Sequence, residues 1–254
     1  MAENGLDRVL VTGAASGIGF AITRKLISLG GTVVMNDQSL AILERARDQL
    51  TAPSQAITLV AGDLTDDTAI ARLAESAGAL DGLVNCAGIY PVTPLLELTC
   101  DEWDRVIDLN QRAPFLLSQA VARRMIAGKR KGSIVNISST ASILARPGIA
   151  HYGTSKAGLN QLTRILAVEL APHDIRVNAI LPGVIATDTV AATLSGPVAR
   201  AEMDAKQARI PMGRLGRPEE IAEFAAFLLS NAASYATGGT YVVDGGFSLG
   251  IARY

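Results

Sequence analysis

The chain has 254 residues, a formal net charge of −1 and a hydrophobic fraction of 49%. This length suits one large α/β domain, and nothing in the composition demands two. Acids and bases are interspersed without a basic stripe, which argues against nucleic-acid binding and membrane-surface roles. No apolar stretch is long enough to span a bilayer and no signal pattern opens the chain, so we expect a cytoplasmic protein without membrane association.

Cysteine and histidine usage argues against a metal centre. Two cysteines, Cys86 and Cys100, and two histidines form neither a disulfide framework nor a ligand cluster. Cys86 lies in an apolar run and is interpreted as a small buried residue rather than a reactive thiol. We therefore predict that the protein binds no metal.

Apolar, β-branched runs alternate with helical patterns along the whole chain. The strand candidates are 8–12, 32–36, 57–61, 82–86, 133–137, 176–181 and 240–243. Such alternation predicts crossover connections, hence an α/β fold with a doubly wound parallel sheet and helices on both faces. We expect a single domain over residues 1–254.

Three local signals refine this pattern. Thr99 followed by Glu102 predicts a capping box at a helix start. Pro114 lies inside the same helical pattern and predicts a kink or irregular turn near 110–114. The stretch 188–214 interrupts the rhythm after a strand, where either a substrate lid or a mobile surface loop is expected.

The first strand candidate leads into a glycine-rich turn. Thr12 and Gly13 are followed by Gly17 and Gly19, and apolar residues then recur at helical spacing up to Gly30. In a strand–turn–helix unit, exposed backbone N–H groups and the helix dipole bind a pyrophosphate. The spacing is T-G-x-x-x-G-x-G rather than the general G-x-G-x-x-G.

A second motif carries the chemistry. Tyr152 and Lys156 open a long helical pattern and, being four residues apart, share one helix face. A phenol with its ordinary pKa near ~10 is a poor base at neutral pH. We expect the neighbouring ammonium and an oxidised nicotinamide to lower that pKa, so that Tyr152 takes a hydroxyl proton as hydride leaves.

These motifs together resemble the NAD-preferring branch of the short-chain dehydrogenase/reductase family, and the resemblance extends from Thr12 to Phe247. It implies a Rossmann-like sheet of strand order 3-2-1-4-5-6-7 and reversible pro-S hydride transfer between a secondary alcohol and NAD. It also implies a homotetramer or homodimer, and the apolar faces at Leu116–Leu117 and at Phe224, Phe227 and Leu228 would permit one.

The resemblance implies a catalytic set of Asn110, Ser139, Tyr152 and Lys156. Ser139, thirteen residues before Tyr152, is selected over Ser138 and would hydrogen-bond the substrate oxygen. Lys156 would also bind the nicotinamide ribose. Asn110 would hold, through its backbone at the kink, a water leading from Lys156 to solvent.

The resemblance also implies a set of cofactor contacts. Asp37 ends the second strand, where a carboxylate accepts ribose hydroxyls and repels a 2′-phosphate. Ser16 is neutral where NADP-preferring relatives often carry a basic residue, so both positions favour NAD over NADP. The expected cofactor-binding residues are Gly13, Ser16, Gly17, Ile18, Gly19, Asp37, Asp63, Leu64, Asn85, Ala87, Gly88, Tyr152, Lys156, Pro182, Gly183, Ile185 and Thr187.

Individual roles follow within that set. Asp63 would contact the adenine, and Asn85 would tie neighbouring strands together, with Cys86 replacing the family's second Asn at the next position. The Ile185 backbone and the Thr187 hydroxyl would engage the nicotinamide carboxamide and a nearby phosphate, so that one face of the ring is presented to the substrate.

The substrate is left open. Ser139, Thr140 and Tyr152 are expected to contact it, with further lining from Tyr90, Pro91, Ser142, Leu144, His151 and residues after Asp188. No charge cluster is present, which disfavours a phosphorylated or multiply charged substrate, and Arg146 faces either the pocket or water. Polyols or sugars, aryl carbinols and alicyclic alcohols all remain candidates. Two alternatives are a 3-oxoacyl thioester reductase, whose usual NADPH preference Asp37 disfavours, and a non-catalytic dinucleotide-binding sensor or scaffold.

Overall fold

A computed structural model describes residues 7–187 and 203–250. Within them, seven strands form one parallel sheet in the order β3-β2-β1-β4-β5-β6-β7, which confirms the predicted topology. The strands are β1 (Arg8–Thr12), β2 (Thr32–Asp37), β3 (Ile57–Ala61), β4 (Gly82–Asn85), β5 (Gly132–Ile137), β6 (Ile175–Pro182) and β7 (Thr240–Val243). The order reverses between β1 and β4, and a crevice at the carboxyl ends of strands at such a point is where α/β sheets bind ligands.

Helices connect the strands and cover both faces of the sheet. They are α1 (Gly17–Ser28), α2 (Leu40–Arg47), α3 (Asp67–Ser76), α4 (Cys100–Ile107), α5 (Ala113–Ala127), α6 (Ala150–Leu170) and α7 (Pro218–Leu229). Among the described residues, none of the helices has the length and apolarity needed to cross a membrane.

Successive side chains of each strand point to opposite faces of the sheet, so the hydrophobic core has one part on each face. Val9 and Val11 of β1 pack on one face with residues of α1, α2 and α7, whereas Leu10 packs on the other with residues of α3, α5 and α6. All three side chains are essentially inaccessible to water. Near-continuous apolar strands are therefore required, because both faces of this sheet are buried.

The junction between α4 and α5 is irregular, as the position of Pro114 predicts. Residues Asp108–Arg112 form a π-helical turn, and Pro114 lies in the first turn of α5. Proline has no N–H, so the carbonyl of Asn110, four residues earlier, has no ordinary α-helical donor. Single π turns within helices occur frequently at functional sites.

Candidate active site

The glycine-rich loop between β1 and α1 packs so closely on other segments that its glycine positions have little or no room for a side chain. Gly13 has a φ of 61°, and a Cβ atom there would lie 2.9 Å from the Cα of Ala87. Gly17 has a φ of 52°, and its missing Cβ faces the methyl group of Thr187 at 3.3 Å. The loop thus lies against the segments that follow β4 and β6, and its shape fits the pyrophosphate of a dinucleotide.

Thr12, at the end of β1, holds these segments in register and was not among the predicted site residues. Its hydroxyl accepts hydrogen bonds from the backbone N–H groups of Cys86 at 3.0 Å and Ala87 at 3.1 Å, and donates to the carbonyl of Val84 at 3.3 Å. A polar residue ending an otherwise apolar strand was the sequence signal for such a role.

Asp37, at the end of β2, is held beside the glycine loop. Its carboxylate accepts the backbone N–H of Ala15 at 3.2 Å and that of Gln38 at 2.9 Å. One oxygen therefore serves the local turn, while the other ties the end of β2 to the glycine loop. Recognition of an adenosine ribose by Asp37 stays a prediction.

Other predicted cofactor residues line the same edge of the sheet. Ser16 is exposed at the amino end of α1, and Asp63 is exposed in a turn where its carboxylate accepts from the backbone N–H and hydroxyl of Thr65, both at 2.9 Å. Pro182 ends β6, and Ile185 pairs with Gly216 across a short bridge. The remaining members of that set are Gly19, Leu64, Gly88 and Gly183, with Ile18 beside Gly19 in the first turn of α1.

Asn85 lies beneath this edge in a buried polar network. Its side-chain amide donates to Asn136 of β5 at 2.8 Å and to Ser118 of α5 at 3.0 Å, and Asn136 donates in turn to Thr163 of α6 at 2.9 Å. The predicted tie between neighbouring strands is therefore present. It extends further than expected, because it also anchors α5 and α6, and α6 carries Tyr152 and Lys156.

Tyr152, Lys156 and Ser139 come together at the carboxyl ends of β5 and β6. Tyr152 and Lys156 project from one face of α6, with the Lys156 Nζ 5.8 Å from the centroid of the Tyr152 ring. Ser139 caps the short turn Thr140–Ser142 that follows β5, and its hydroxyl lies close enough to the Tyr152 side chain to lower the pKa of the phenol. Lys156 is 4% exposed and donates from Nζ to the carbonyl of Ile137 at 2.9 Å.

The two adjacent serines have different roles. Ser138 is buried, and its hydroxyl donates to the carbonyl of Lys156 at 3.2 Å, which fixes α6 to the end of β5. Ser139 instead presents its hydroxyl to the phenol of Tyr152. The structure therefore places Ser139, the residue selected by spacing, and not Ser138 beside the Tyr152 phenol.

Burial shifts the pKa values of both titratable residues of this set. It raises the pKa of Tyr152, against the smaller lowering effects of the Ser139 hydrogen bond and of the Arg146 charge. It also lowers the pKa of Lys156 to about 8. Desolvation of the phenol therefore opposes the lowering predicted from the Lys156 ammonium together with an oxidised nicotinamide, which stays a prediction.

Asn110 lies in the π-helical turn, fully buried. Its amide group pairs with the backbone of Ile89, accepting from the N–H and donating to the carbonyl, both at 2.9 Å. Its Oδ1 is 3.0 Å, and the Lys156 Nζ 3.6 Å, from the point where Gly88 would carry a Cβ. The side chain is thus occupied in fixing the segment that follows β4.

His151 and Glu102 form a pair that no sequence pattern indicated. His151 Nδ1 accepts the backbone N–H of Tyr152 at 2.9 Å, so the proton resides on Nε2, which donates to Glu102 at 3.2 Å. Glu102 also accepts from the Thr93 hydroxyl at 2.6 Å, and these bonds, that of Thr93 first, lower the pKa of the carboxyl. The pair steadies the first turn of α6.

This pair corrects two expectations. His151 is fully buried and does not line the substrate pocket. The capping box is half formed: Thr99 accepts the N–H of Glu102 at 3.2 Å, but the Glu102 carboxylate turns to Thr93 and His151 instead of back to the helix start. The pairing joins residues 49 positions apart, which no local pattern reveals.

The other expected substrate contacts divide into buried and accessible residues. Thr140 is 5% exposed, and Ser142 donates to the carbonyl of Ser139 at 2.6 Å while accepting from Asn160 at 2.8 Å. Tyr90 is accessible, and its ring packs edge-on against Tyr152 with centroids 4.5 Å apart. The wall of the site beside the phenol is therefore aromatic.

Other reactive groups near the site are inert or absent. Burial raises the pKa of the Cys86 thiol to about 12, so it stays protonated. Across residues 7–187 and 203–250, no group of three or more His, Cys, Asp or Glu side chains is arranged to hold a metal ion. The predicted lid, 188–214, is described only in part. Residues 188–202 lie outside the described residues. In the described part, Met212 donates its N–H to the carbonyl of Gly245 at 3.2 Å.

Comparisons with known proteins agree with this geometry. A family model described as enoyl-(acyl carrier protein) reductase matches residues 13–248. L-xylulose reductase of Bos taurus is 40% identical over 94% of this chain and 96% of its own length. Cis-4-hydroxycyclohexanecarboxylate dehydrogenase of Sinomonas cyclohexanicum is 42% identical over 98% of this chain and 99% of its own length. A short-chain type dehydrogenase/reductase from Mycobacterium marinum superposes with a TM-score of 0.87 at 33% identity, covering 95% of each chain.

Fold and site together define an oxidoreductase that binds a nicotinamide dinucleotide and acts on CH–OH groups. The chain belongs to the short-chain dehydrogenase/reductase family. A purely non-catalytic sensor or scaffold is disfavoured, because the relatives are named for dehydrogenase and reductase activities and the reactive side chains are all in place.

Proposed function

We propose that the protein is an NAD-dependent dehydrogenase that interconverts a secondary alcohol and its ketone. The observation that carries the proposal is the grouping of the Tyr152 phenol, the Ser139 hydroxyl and the Lys156 ammonium, whose Nζ is 5.8 Å from the centroid of the Tyr152 ring. Two relatives act, by their names, on a ketose sugar and on an alicyclic hydroxy acid, so sugars and alicyclic alcohols lead the list of substrates. The alternative function is that of a 3-oxoacyl thioester reductase, and the substrate panel described below distinguishes the two.

Tyr152 is the acid/base of the proposed reaction. In the oxidative direction the phenol oxygen takes the carbinol proton, and the Ser139 hydroxyl hydrogen-bonds the substrate oxygen as its charge changes. When bound, the nicotinamide ring would accept the hydride from the carbinol carbon. Because burial raises the pKa of Tyr152, nearby positive charge is needed to bring the phenol into a useful range.

Lys156 and Asn110 return the proton to solvent in this proposal. Lys156 Nζ is buried behind Tyr152 and anchored on Ile137, and its pKa of about 8 allows it to exchange a proton near neutral pH. The carbonyl of Asn110 lacks an α-helical donor because Pro114 has no N–H. A water held there would connect Lys156 to the outside.

The preference for NAD rests on Asp37. Its carboxylate is 3.2 Å from the N–H of Ala15 in the glycine loop, where the adenosine ribose of a bound dinucleotide would lie. A 2′-phosphate at that place would meet a like charge, whereas ribose hydroxyls would donate to it. Ser16, exposed beside it, offers no compensating cation.

Formation of NADH from NAD across a panel of alcohols tests the function. The panel contains alditols, aldonates, hydroxycyclohexanecarboxylates, aryl carbinols and 3-hydroxyacyl thioesters, with Tyr152→Phe as the blank. We expect turnover of a sugar-type or alicyclic class that the blank lacks. Turnover confined to the thioesters would favour the reductase alternative, and a silent panel with either cofactor would contradict the proposal.

Assembly into a dimer or tetramer is part of the proposal. Leu117 and Leu228 are core residues, but Phe115 of α5, Val168 of α6 and Phe227 of α7 remain exposed on the surface. Exposed apolar side chains such as these, on helices of both faces of the sheet, are typical of interaction sites. Light scattering coupled to size exclusion should give a mass of two or four chains.

A further inference from the structure

Helix α6, which carries Tyr152 and Lys156, begins without an ordinary cap. The N-cap residue is Ile149, which has no side-chain acceptor, and the N–H of Gly153 bonds to the Ile149 carbonyl at 2.8 Å. In the first turn of a helix, the N–H groups that precede this bond have no partner within the helix. Tyr152 carries one of these N–H groups, so the backbone of the proposed acid/base needs another acceptor.

His151 supplies that acceptor from a fully buried ring. Its Nδ1 accepts the N–H of Tyr152 at 2.9 Å. A neutral imidazole accepts a hydrogen bond at only one ring nitrogen, and a protonated imidazole accepts at neither. The bond to Tyr152 therefore exists only while the ring is neutral and its proton is on Nε2.

Glu102 and Thr93 hold the ring in that state. The Nε2 of His151 donates to Oε1 of Glu102 at 3.2 Å, and the same oxygen accepts the Thr93 hydroxyl at 2.6 Å. The backbone N–H of Thr93 donates to the carbonyl of Gly148 at 2.9 Å, directly before the start of α6. A hydrogen bond at one nitrogen of a histidine determines which nitrogen carries the proton, so Glu102 fixes both the tautomer and the orientation of the ring.

These bonds join three segments around Tyr152. Thr93 belongs to the segment between β4 and α4, Glu102 to α4 and His151 to α6. The segment that contains Thr93 also carries Tyr90, whose ring packs edge-on against that of Tyr152 with centroids 4.5 Å apart. The backbone of Tyr152 is therefore held through His151, while its ring is contacted from the segment to which His151 is tied.

We infer that Thr93, Glu102 and His151 form a positioning network that holds the Tyr152 phenol in the orientation needed for proton transfer. The inference rests on the proposed function, because it assigns further residues to that same reaction. The three residues act through the backbone and the ring of Tyr152, and they take no proton from the substrate. A misplacement of about 1 Å can cost about a hundredfold in rate, so the network contributes to kcat.

Two substitutions of His151 separate the two hydrogen bonds of its ring. In His151→Asn the side-chain oxygen takes the place of Nδ1 and still accepts the Tyr152 N–H. His151→Gln keeps a donor that reaches towards Glu102 and loses that acceptor. We expect kcat for alcohol oxidation to fall about ten- to a hundredfold in His151→Gln and less than about tenfold in His151→Asn. KM and the Kd of NADH should stay within about twofold of the wild type, because the network acts in the transition state.

Substitutions of Glu102 test whether the carboxylate acts by accepting hydrogen bonds. Glu102→Gln keeps an oxygen that accepts from both His151 and Thr93, so kcat should stay within about threefold of the wild type, whereas Glu102→Ala should lose about tenfold or more. The exposed histidine at the far end of α6 gives the matched control as His173→Gln, which should keep the wild-type kcat. Expressing kcat per NADH-binding site separates positioning from partial unfolding, since unfolding lowers the number of sites and leaves kcat per site unchanged.

Nitrogen-15 NMR of the imidazole rings tests the network apart from turnover. The chain has two histidines, so the signals of His151 are those missing from His151→Asn. We expect the wild-type ring to carry its proton on Nε2 alone, and Glu102→Ala to show both tautomers. A wild-type ring with its proton on Nδ1 would overturn the inference.

The kinetic outcomes distinguish this inference from the proposed function. If alcohols are oxidised but His151→Gln and Glu102→Ala keep the wild-type kcat per site, the positioning role is wrong and the proposed function stands. If the wild type oxidises no alcohol although its ring carries the proton on Nε2, the proposed function fails and the role in turnover fails with it, and the network is a structural cap of α6 only.

Discussion

The two halves of the sheet position their functional groups by different means. On the side of β1 and β2, the glycine loop offers backbone N–H groups, and Asp37 is the single charged side chain engaged there. On the side of β4, β5 and β6, the functional groups are side chains. They are anchored by buried polar residues, namely Asn85, Asn110, Ser118, Asn136, Ser138, His151, Ser155, Asn160 and Thr163.

This difference reflects what each half must do. Holding a pyrophosphate requires close approach and N–H donors, which a glycine turn at a helix start supplies. Proton transfer requires a phenol, a hydroxyl and an ammonium fixed within hydrogen-bond reach, and buried hydrogen-bond networks restrain side chains in one arrangement. Substitutions in the two halves should therefore fail in different ways, and the following predictions test that distinction.

The largest effect is expected for Tyr152→Phe. Removing the phenol oxygen eliminates the acid/base group and should lower kcat by about 10²- to 10⁴-fold. Cofactor binding, followed by the fluorescence of bound NADH, should change little, because the glycine loop and Asp37 are untouched. A variant that retained the wild-type rate would overturn the assignment of Tyr152.

Lys156→Met should reduce activity and yet stabilise the fold. The folded-state pKa of Lys156 is about 8 against an ordinary value of 10.5, so below pH 8 the buried charge destabilises the native protein. The penalty declines as pH rises from 8 to 10.5, because the folded protein releases the proton before the unfolded chain does. Methionine carries no charge and so removes this penalty. The free energy of unfolding of Lys156→Met at pH 7 should therefore exceed that of the wild type by on the order of 2–3 kcal/mol.

Urea denaturation at a series of pH values provides the measurement. The advantage of Lys156→Met should shrink steadily above pH 8 and be lost near pH 10.5. Lys131, an exposed lysine, gives the matched control as Lys131→Met, for which no such pH-dependent gain is expected. If the gain in the free energy of unfolding of Lys156→Met did not depend on pH, better packing of methionine, and not removal of the buried charge, would explain the gain.

Gly13→Ala tests the β1–β2 side of the sheet, where the glycine loop offers backbone N–H groups. The φ of 61° is strained for alanine, and the new methyl group would meet the Ala87 backbone at 2.9 Å. We expect a loss of about 1–3 kcal/mol in the free energy of unfolding, together with weaker NADH binding. Gly30→Ala, whose φ of 82° is also positive but whose missing Cβ has open space, separates backbone strain from the clash with Ala87.

The smallest effect concerns cofactor choice. Asp37→Ala removes the carboxylate that would repel a 2′-phosphate, and the ratio of kcat/KM for NAD to that for NADP should fall by about tenfold. The value of kcat with NAD should be affected much less. Asp63→Ala is the comparison, since Asp63 is engaged with Thr65 in its own turn. An unchanged ratio in Asp37→Ala would count against the ribose role.

The sequence alone determined the sheet, its strand order through the resemblance, and the choice of Tyr152, Lys156 and Ser139 as residues that the fold brings together. These features depend on local periodicity, on glycine and proline at fixed places, and on the four-residue spacing of a helix face, all of which a linear pattern records. The irregular turn before α5 was predictable for the same reason, because Pro114 removes a backbone donor wherever it occurs.

Only the tertiary structure decided how these groups are held and charged. The Glu102–His151 pair, the Thr12 contacts after β4 and the stacking of Arg146 on Tyr90 join residues far apart in the chain, so no local spacing encodes them. The pKa shifts of Tyr152 and Lys156 follow from burial, which raises the first and lowers the second. Sequence thus specifies which groups are present, whereas desolvation and long-range packing set their protonation and their neighbours.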